Sequence, residues 1–180
     1  MSADDQIDGE NDSEIDYEDL TGMALDDEVL ADLLSTGGEC VFNWSTRDGY
    51  PVGVVVAFLH HDGKFFTTCA ERRKRVPALR ARPQSAIVIN RRGKTASFKG
   101  DSVVHANGDP GFDELKTWFY AKLSGVDENP DDTYRQSFAK FLDSPHRVII
   151  ETDARLVVAF DSAKFQAFTV EAIASGQGAV

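Results

Sequence analysis

Residues 67–83 read TTCAERRKRVPALRARP, and the side chains gathered there suit one kind of chemistry. Two hydroxyls, Thr67 and Thr68, close an apolar run. Arg72, Arg73, Lys74 and Arg75 follow within seven residues, and a short helical pattern comes next. Hydroxyl donors, fixed positive charge and the free backbone N–H groups of a helix start are what a phosphate monoester requires. Arg75 fits that role because a guanidinium offers two parallel hydrogen bonds. The competing reading is a solvated helix face, which is the ordinary role of a charge run. The order strand, Thr-Thr, cations, helix favours the phosphate.

Other residue types carry less. His60, His61, His105 and His146 stand at no metal-site spacing, and His60-His61 falls at a turn. Cys69 follows the same strand and reads as packing or as a neighbour of a bound ring. Trp118, Phe119 and Tyr120 sit inside a helical period, which makes them mainly core. No glycine-rich dinucleotide fingerprint and no Ser/His/Asp arrangement is visible.

The elements that must position the cations are mostly strands. Cys40, Phe42 and Trp44 alternate with Val41, Asn43 and Ser45, the period of a half-buried strand. Asp48-Gly49 supplies hairpin chemistry. Pro51 then opens VGVVVAFL, a run expected to be buried on both faces. His61-Asp62-Gly63 turns the chain into the strand 64–68, completing a three-strand meander. The helix after the cations tolerates Pro77 only in its first turn and stops at Pro83. Strands are expected at 85–90 and 95–106, then helices carrying Phe112, Leu115, Phe119 and Leu123 and spanning 134–142. Two last strands, 147–152 and 156–161, bring the count to about seven. An earlier helix, with Asp26 as N-cap and Val29, Leu30, Leu33 and Leu34 on one face, precedes the meander. Many short antiparallel strands with a helix pair inserted late imply a mainly β, α+β chain closing as a six- to seven-stranded antiparallel barrel.

The 180 residues fit one domain, and 42% hydrophobic content fits a globular protein. The expected division is an acidic disordered tail over 1–24, a barrel domain over 25–170 and a flexible tail over 171–180. The net charge of −11 is unevenly spread. Residues 1–39 hold 14 acids and no Lys or Arg, so the remainder is mildly basic and suited to an anionic small molecule. The acidic segment argues against nucleic acid. The longest apolar run, 54–59, is too short for a membrane span, and the first 30 residues lack a secretory pattern. Two cysteines without a pairing signature imply a reduced, cytoplasmic setting.

In this order the motifs resemble the pyridoxamine 5′-phosphate oxidase-like FMN-binding split barrels, and within them the actinobacterial flavin/deazaflavin oxidoreductases. Asp48-Gly49-Tyr50-Pro51 precedes an apolar strand, and Phe66-Thr67-Thr68 follows. Arg75 stands eight residues before Pro83 with Leu79 between them, and a later strand ends in Phe98-Lys99-Gly100-Asp101-Ser102. Asp132-Thr133-Tyr134-Arg135-Gln136 and the strand 147–151 stand where that group has a helix and a late strand. The resemblance spans about residues 30–165.

It implies a split β-barrel that forms a homodimer with FMN at the interface, or coenzyme F-420, a deazaflavin, in its place. The expected activity is hydride or electron transfer to a small organic substrate. A non-catalytic flavin or haem carrier is the alternative on the same barrel. Carried over by position, Arg75 stands for the usual phosphate-binding Lys with Lys74 beside it, and Thr67 and Thr68 match hydroxyl positions. Val54, Val55 and Val56 match the strand along the isoalloxazine. Ser97 and Lys99 match the strand reaching the ring or phosphate, and Trp118 or Tyr120 is expected from the second subunit. Pyridoxamine phosphate oxidases proper carry an Arg where this chain has Val54, and their later-strand Gln has no counterpart near Ala96 to Phe98. These departures argue against vitamin B6 oxidation.

Overall fold

The structure, a computed structural model, describes residues 20–175. Six strands close a barrel in the order β1-β2-β3-β6-β5-β4, every pairing antiparallel. They are β1 (Gly38–Ser45), β2 (Pro51–His61), β3 (Lys64–Ala70), β4 (Gln84–Arg91), β5 (Lys94–His105) and β6 (Arg147–Asp161). Five helices surround them: α1 (Asp27–Ser35), α2 (Arg75–Ala81), α3 (Phe112–Ser124), α4 (Thr133–Leu142) and α5 (Ser162–Ala174). The expected split barrel of the α+β class is the observed fold.

Local chemistry places most joints. Gly49 takes φ +89° in the β1–β2 turn, where the Thr46 and Gly49 amides donate to Tyr50 and Thr46 carbonyls. Asp132 caps α4 by accepting from the Tyr134 and Arg135 amides. Asp26 stands at the N-cap of α1, but its carboxylate accepts from Lys164 of α5 at 2.8 Å and makes no cap bond.

The barrel interior is apolar. Phe42, Phe58, Phe65, Ile87, Ile89 and Ile150 are essentially fully buried, and α2 adds Val76 and Leu79 at the end where β1 finishes. A second core lies outside the barrel, where α3 and α4 cover Phe66 of β3 and Ile149 of β6 with Phe112, Phe119, Tyr120 and Leu142. Trp118 belongs to this layer: its ring lies 4.9 Å from His61 and 5.1 Å from Phe66.

Three expectations change. The two last strands are one, β6, paired to β3 over 147–153 and to β5 over 149–161. Gly100 explains the continuity: a Cβ there would run into the Asp153 carbonyl oxygen, so its absence lets β6 pass without a break. The run after Pro51 is not buried on both faces, since Val55 is 62% exposed and only Phe58 is fully buried. A uniformly apolar run cannot report that one face was left bare. Finally, α5 reaches Ala174 with Ala172 buried, so residues 171–174 are helical. Within the expected N-terminal tail, Thr21–Met23 forms a single helical turn with Met23 buried. The rest of both expected tails, 1–19 and 176–180, lies outside the described residues.

Gly100→Ala is expected to destabilise the fold by about 1–3 kcal/mol, the usual cost of overpacking against backbone. Urea denaturation followed by circular dichroism measures it, and an unchanged midpoint would remove the close-approach account of β6.

Candidate functional site

The site begins with a pairing that stops early. β2 is bonded to β1 over residues 51–58 but to β3 only over 58–61. β3 instead follows β6 to its end, Ala70 opposite Arg147, and the Glu71 amide extends the ladder to the His146 carbonyl at 2.8 Å. Residues 51–57 of β2 therefore have one edge without a strand partner among the described residues, and the backbone groups on that edge remain available. The barrel is split there.

The segment leaving β3 crosses the mouth of this split. A cavity of about 650 Å³ is lined by Val54, Val55 and Val56 on the β2 side and by Arg72, Arg73, Lys74 and Arg75 on the other, with Trp44 between them. Trp44 is the last inward residue of β1, and its ring stacks on Phe42 at 6.5 Å. The loop keeps its shape through Arg73 N–H to Ala70 O at 3.0 Å and Val76 N–H to Arg73 O at 2.9 Å. Val76 and Leu79, both in the barrel core, anchor the far side.

Among the described residues, none of these four cations has a carboxylate within ion-pair distance. The nearest acid in sequence, Glu71, points to Arg80 instead, at 3.3 Å. Arg75 is half-buried, donates a long bond, 3.5 Å, to the Thr68 carbonyl and lies against the Cys69 thiol. Four adjacent positive charges on one wall, facing an apolar wall with free backbone donors, suit an anionic ligand with a flat body.

The other expected positions lie elsewhere in this chain. Thr67 is buried inside the barrel, and Thr68, facing the opposite way, donates its hydroxyl to Val148 O at 2.8 Å. Ser97 and Lys99 are on β5, beside Val88 and Ala86 of β4, across two strands from β2. Trp118, on α3, packs against His61 and Phe66. Sequence reading missed Trp44, whose alternation with Phe42 marked it as core; its place just before the Asp48-Gly49 turn was the signal that it stands at the rim.

Cys69 is buried beside this wall. Burial pushes its thiol up, and the Arg75 guanidinium pulls against that without reversing it. Burial alone pushes Cys40 up to about 12. Both are free thiols. Among the described residues no cluster of His, Cys, Asp and Glu could hold a metal. No described helix is long and apolar enough to cross a membrane.

No family model and no curated protein matches the chain. Solved structures do. A conserved hypothetical protein of Mycobacterium tuberculosis superposes with a TM-score of 0.66 at 14% identity, over 81% of this chain and 91% of that one. A pyridoxamine 5′-phosphate oxidase-related, FMN-binding protein of Nostoc punctiforme gives 0.53 at 12%, covering 73% and 82%. An F-420 reductase gives 0.50 at 16%, covering 71% and 93%. At these identities the likeness establishes the fold, the split barrel of pyridoxamine 5′-phosphate oxidase-like proteins. In this chain the split carries the cationic wall.

Because both thiols are buried and held protonated, a disulfide-exchange dye at neutral pH should titrate neither in the native chain and both in denaturant. Rapid labelling of one thiol without unfolding would show that the wall beside Cys69 is open.

Proposed function

We propose that the chain binds FMN in the split between β2 and the 72–75 segment and acts as an oxidoreductase on a small organic substrate. One observation carries this reading: four cations that have no ion pair among the described residues share a cavity with a strand edge that no described strand covers. In it, Lys74 and Arg75 hold the phosphate, and Arg72 and Arg73 add long-range attraction. The free edge of β2 supplies in-plane donors and acceptors to a planar ring, and Trp44 gives it an apolar wall. Bound FMN supplies reversible hydride and electron transfer, while the protein positions it and excludes water. The residues present fit that group.

Ser97, Lys99 and Trp118 reach such a ring only across a subunit interface, so this reading includes a homodimer. The outer face supports it. Val55, Val41, Val88 and Val158 are register neighbours across β2, β1, β4, β5 and β6, with Ser97 completing the row, and Val55, Val41 and Val158 are exposed. An apolar row of this kind on a sheet face is what a second copy covers. Two buried, unpaired thiols support a cytoplasmic setting.

A specific feature favours coenzyme F-420 as the second reading. The cleft continues past Trp44 and Lys74 into a further cavity of about 410 Å³, lined also by Arg47, Pro77 and Arg82. Those cations suit a longer anionic tail.

Titrating the full chain with each cofactor separates the readings. FMN binding gives two visible absorbance bands and the deazaflavin one main band, and a tight complex with neither would remove both. Arg75→Ala is expected to weaken the bound cofactor by about 2–3 kcal/mol, the worth of a charge-assisted contact. Unchanged affinity would place the phosphate elsewhere. Stoichiometric binding without turnover by any reductant and acceptor pair would make the chain a carrier. Sedimentation velocity should give twice the mass of one chain; a monomer would remove the interface role of Ser97, Lys99 and Trp118.

A further inference from the structure

Arg72 lines two cavities. Beyond the cofactor cleft it turns the corner into a second space of about 550 Å³, bounded by Ala70, Glu71, Ser144, His146 and Arg147. This space sits on the seam where β3 ends and β6 begins. Its floor is the continued ladder, Ala70 opposite Arg147 and Glu71 N–H on His146 O. Its rim is the turn after α4, closed by Arg147 N–H to Ser144 O at 3.0 Å.

Arg147 is the unusual member. Its guanidinium lies over the Phe141 ring, 5.3 Å from the centroid, which fixes the plane of the group. Its Nε is shielded from solvent and has no hydrogen-bond partner among the described residues. No carboxylate among the described residues pairs with it. The acids nearby are engaged: Glu71 with Arg80 at 3.3 Å, Asp143 with Lys116 at 3.0 Å. A shielded guanidinium donor without an acceptor is a standing cost that a protein ordinarily removes by pairing. Arg72, the His146 imidazole and the Ser144 hydroxyl add donors to the lining, and the one carboxylate in it, Glu71, is already paired with Arg80.

We propose that this second cavity is an oxyanion site, taking a phosphate or carboxylate group on Arg147 and Arg72, separate from the phosphate position at Lys74 and Arg75. A bidentate approach to a guanidinium plane already fixed by Phe141 supplies the affinity, and Ser144 and His146 supply additional donors. The site stands on its own residues and does not depend on the cofactor assignment. Its occupant is a free anion or the second acidic group of a longer ligand threaded past Arg72.

The test is an amide-resolved NMR titration of the full chain, loaded with FMN so that the first cavity is filled. Inorganic phosphate and acetate are the probes. Saturable shifts are expected at Glu71, Arg72, Ser144, His146 and Arg147, with the tighter probe naming the chemistry. Arg147→Gln should weaken binding about tenfold or more and Arg147→Lys less, with FMN affinity kept within about twofold. FAD, a flavin with a second phosphate, separates the sources. Selective loss of FAD affinity in Arg147→Gln assigns a longer ligand; an unaffected FAD assigns a free anion. Absence of saturable shifts at those amides, wild-type binding by Arg147→Gln, or one-for-one displacement of phosphate by FMN would overturn the site. Should Arg147→Gln fail to fold, the wild-type shift pattern decides. Should FMN fail to bind, the cofactor reading falls, and the same titration of the ligand-free chain still tests this one.

Discussion

The divergence of β3 from β2 is the constraint on which the rest of the site depends. Two neighbouring strands of a barrel ordinarily pair along their length, yet here β2 keeps β3 for only four residues. The reason lies on the other side of β3, where all seven of its residues pair with β6. Following β6 carries Ala70 away from Val55, and the seam that closes at Ala70 opposite Arg147 is the same seam that opens the split. α2 then prevents collapse, because Val76 and Leu79 are fixed in the barrel core and hold the chain between them and β3 across the gap. The opening is thus a product of good pairing elsewhere, not of weak pairing locally.

Charge placement follows from that geometry. Four like charges in succession repel, and the chain tolerates Arg72, Arg73 and Lys74 because all three are exposed to water and ions. Arg75 is different. It is half-buried against Cys69 and the Thr68 carbonyl, so it gains less from solvent and more from an anion brought beside it. The nearest acid in sequence, Glu71, is drawn to Arg80 of α2, which leaves the wall uncompensated among the described residues. Arg135, by contrast, meets both Glu128 and Asp132, so the lack of partners at residues 72–75 is not a general property of arginines in this chain.

The legible parts of the sequence were those set by local chemistry. Alternation gave β1, the Asp48-Gly49 and Asp62-Gly63 turns gave the meander, and the 3.6-residue spacing of Phe112, Leu115 and Phe119 gave α3. What could not be read depends on partners distant in sequence. Asp153 to Arg155 looks like a break between strands until Gly100, more than fifty residues earlier, is seen to make room for it. Val54, Val55 and Val56 look like the centre of a buried strand until the missing neighbour is known. Thr67 and Thr68 show the opposite case: adjacent residues in a strand face opposite sides, so period-two geometry alone separates them. Trp44 shares its periodicity with core residues, and only its place at the end of β1 distinguishes a rim ring from an interior one.

An open strand edge beside exposed valines invites pairing with another chain. The cations opposite it limit what can enter. A neutral or basic strand brought to residues 51–57 would have to desolvate Arg72, Arg73 and Lys74 without compensation, which is a strong penalty against unintended partners. An anionic, planar small molecule meets the same wall as attraction and the same edge as a source of fixed hydrogen bonds. The features that make the edge hazardous in isolation therefore become selective in combination, and Arg75, the least hydrated of the four, is where that selectivity is greatest.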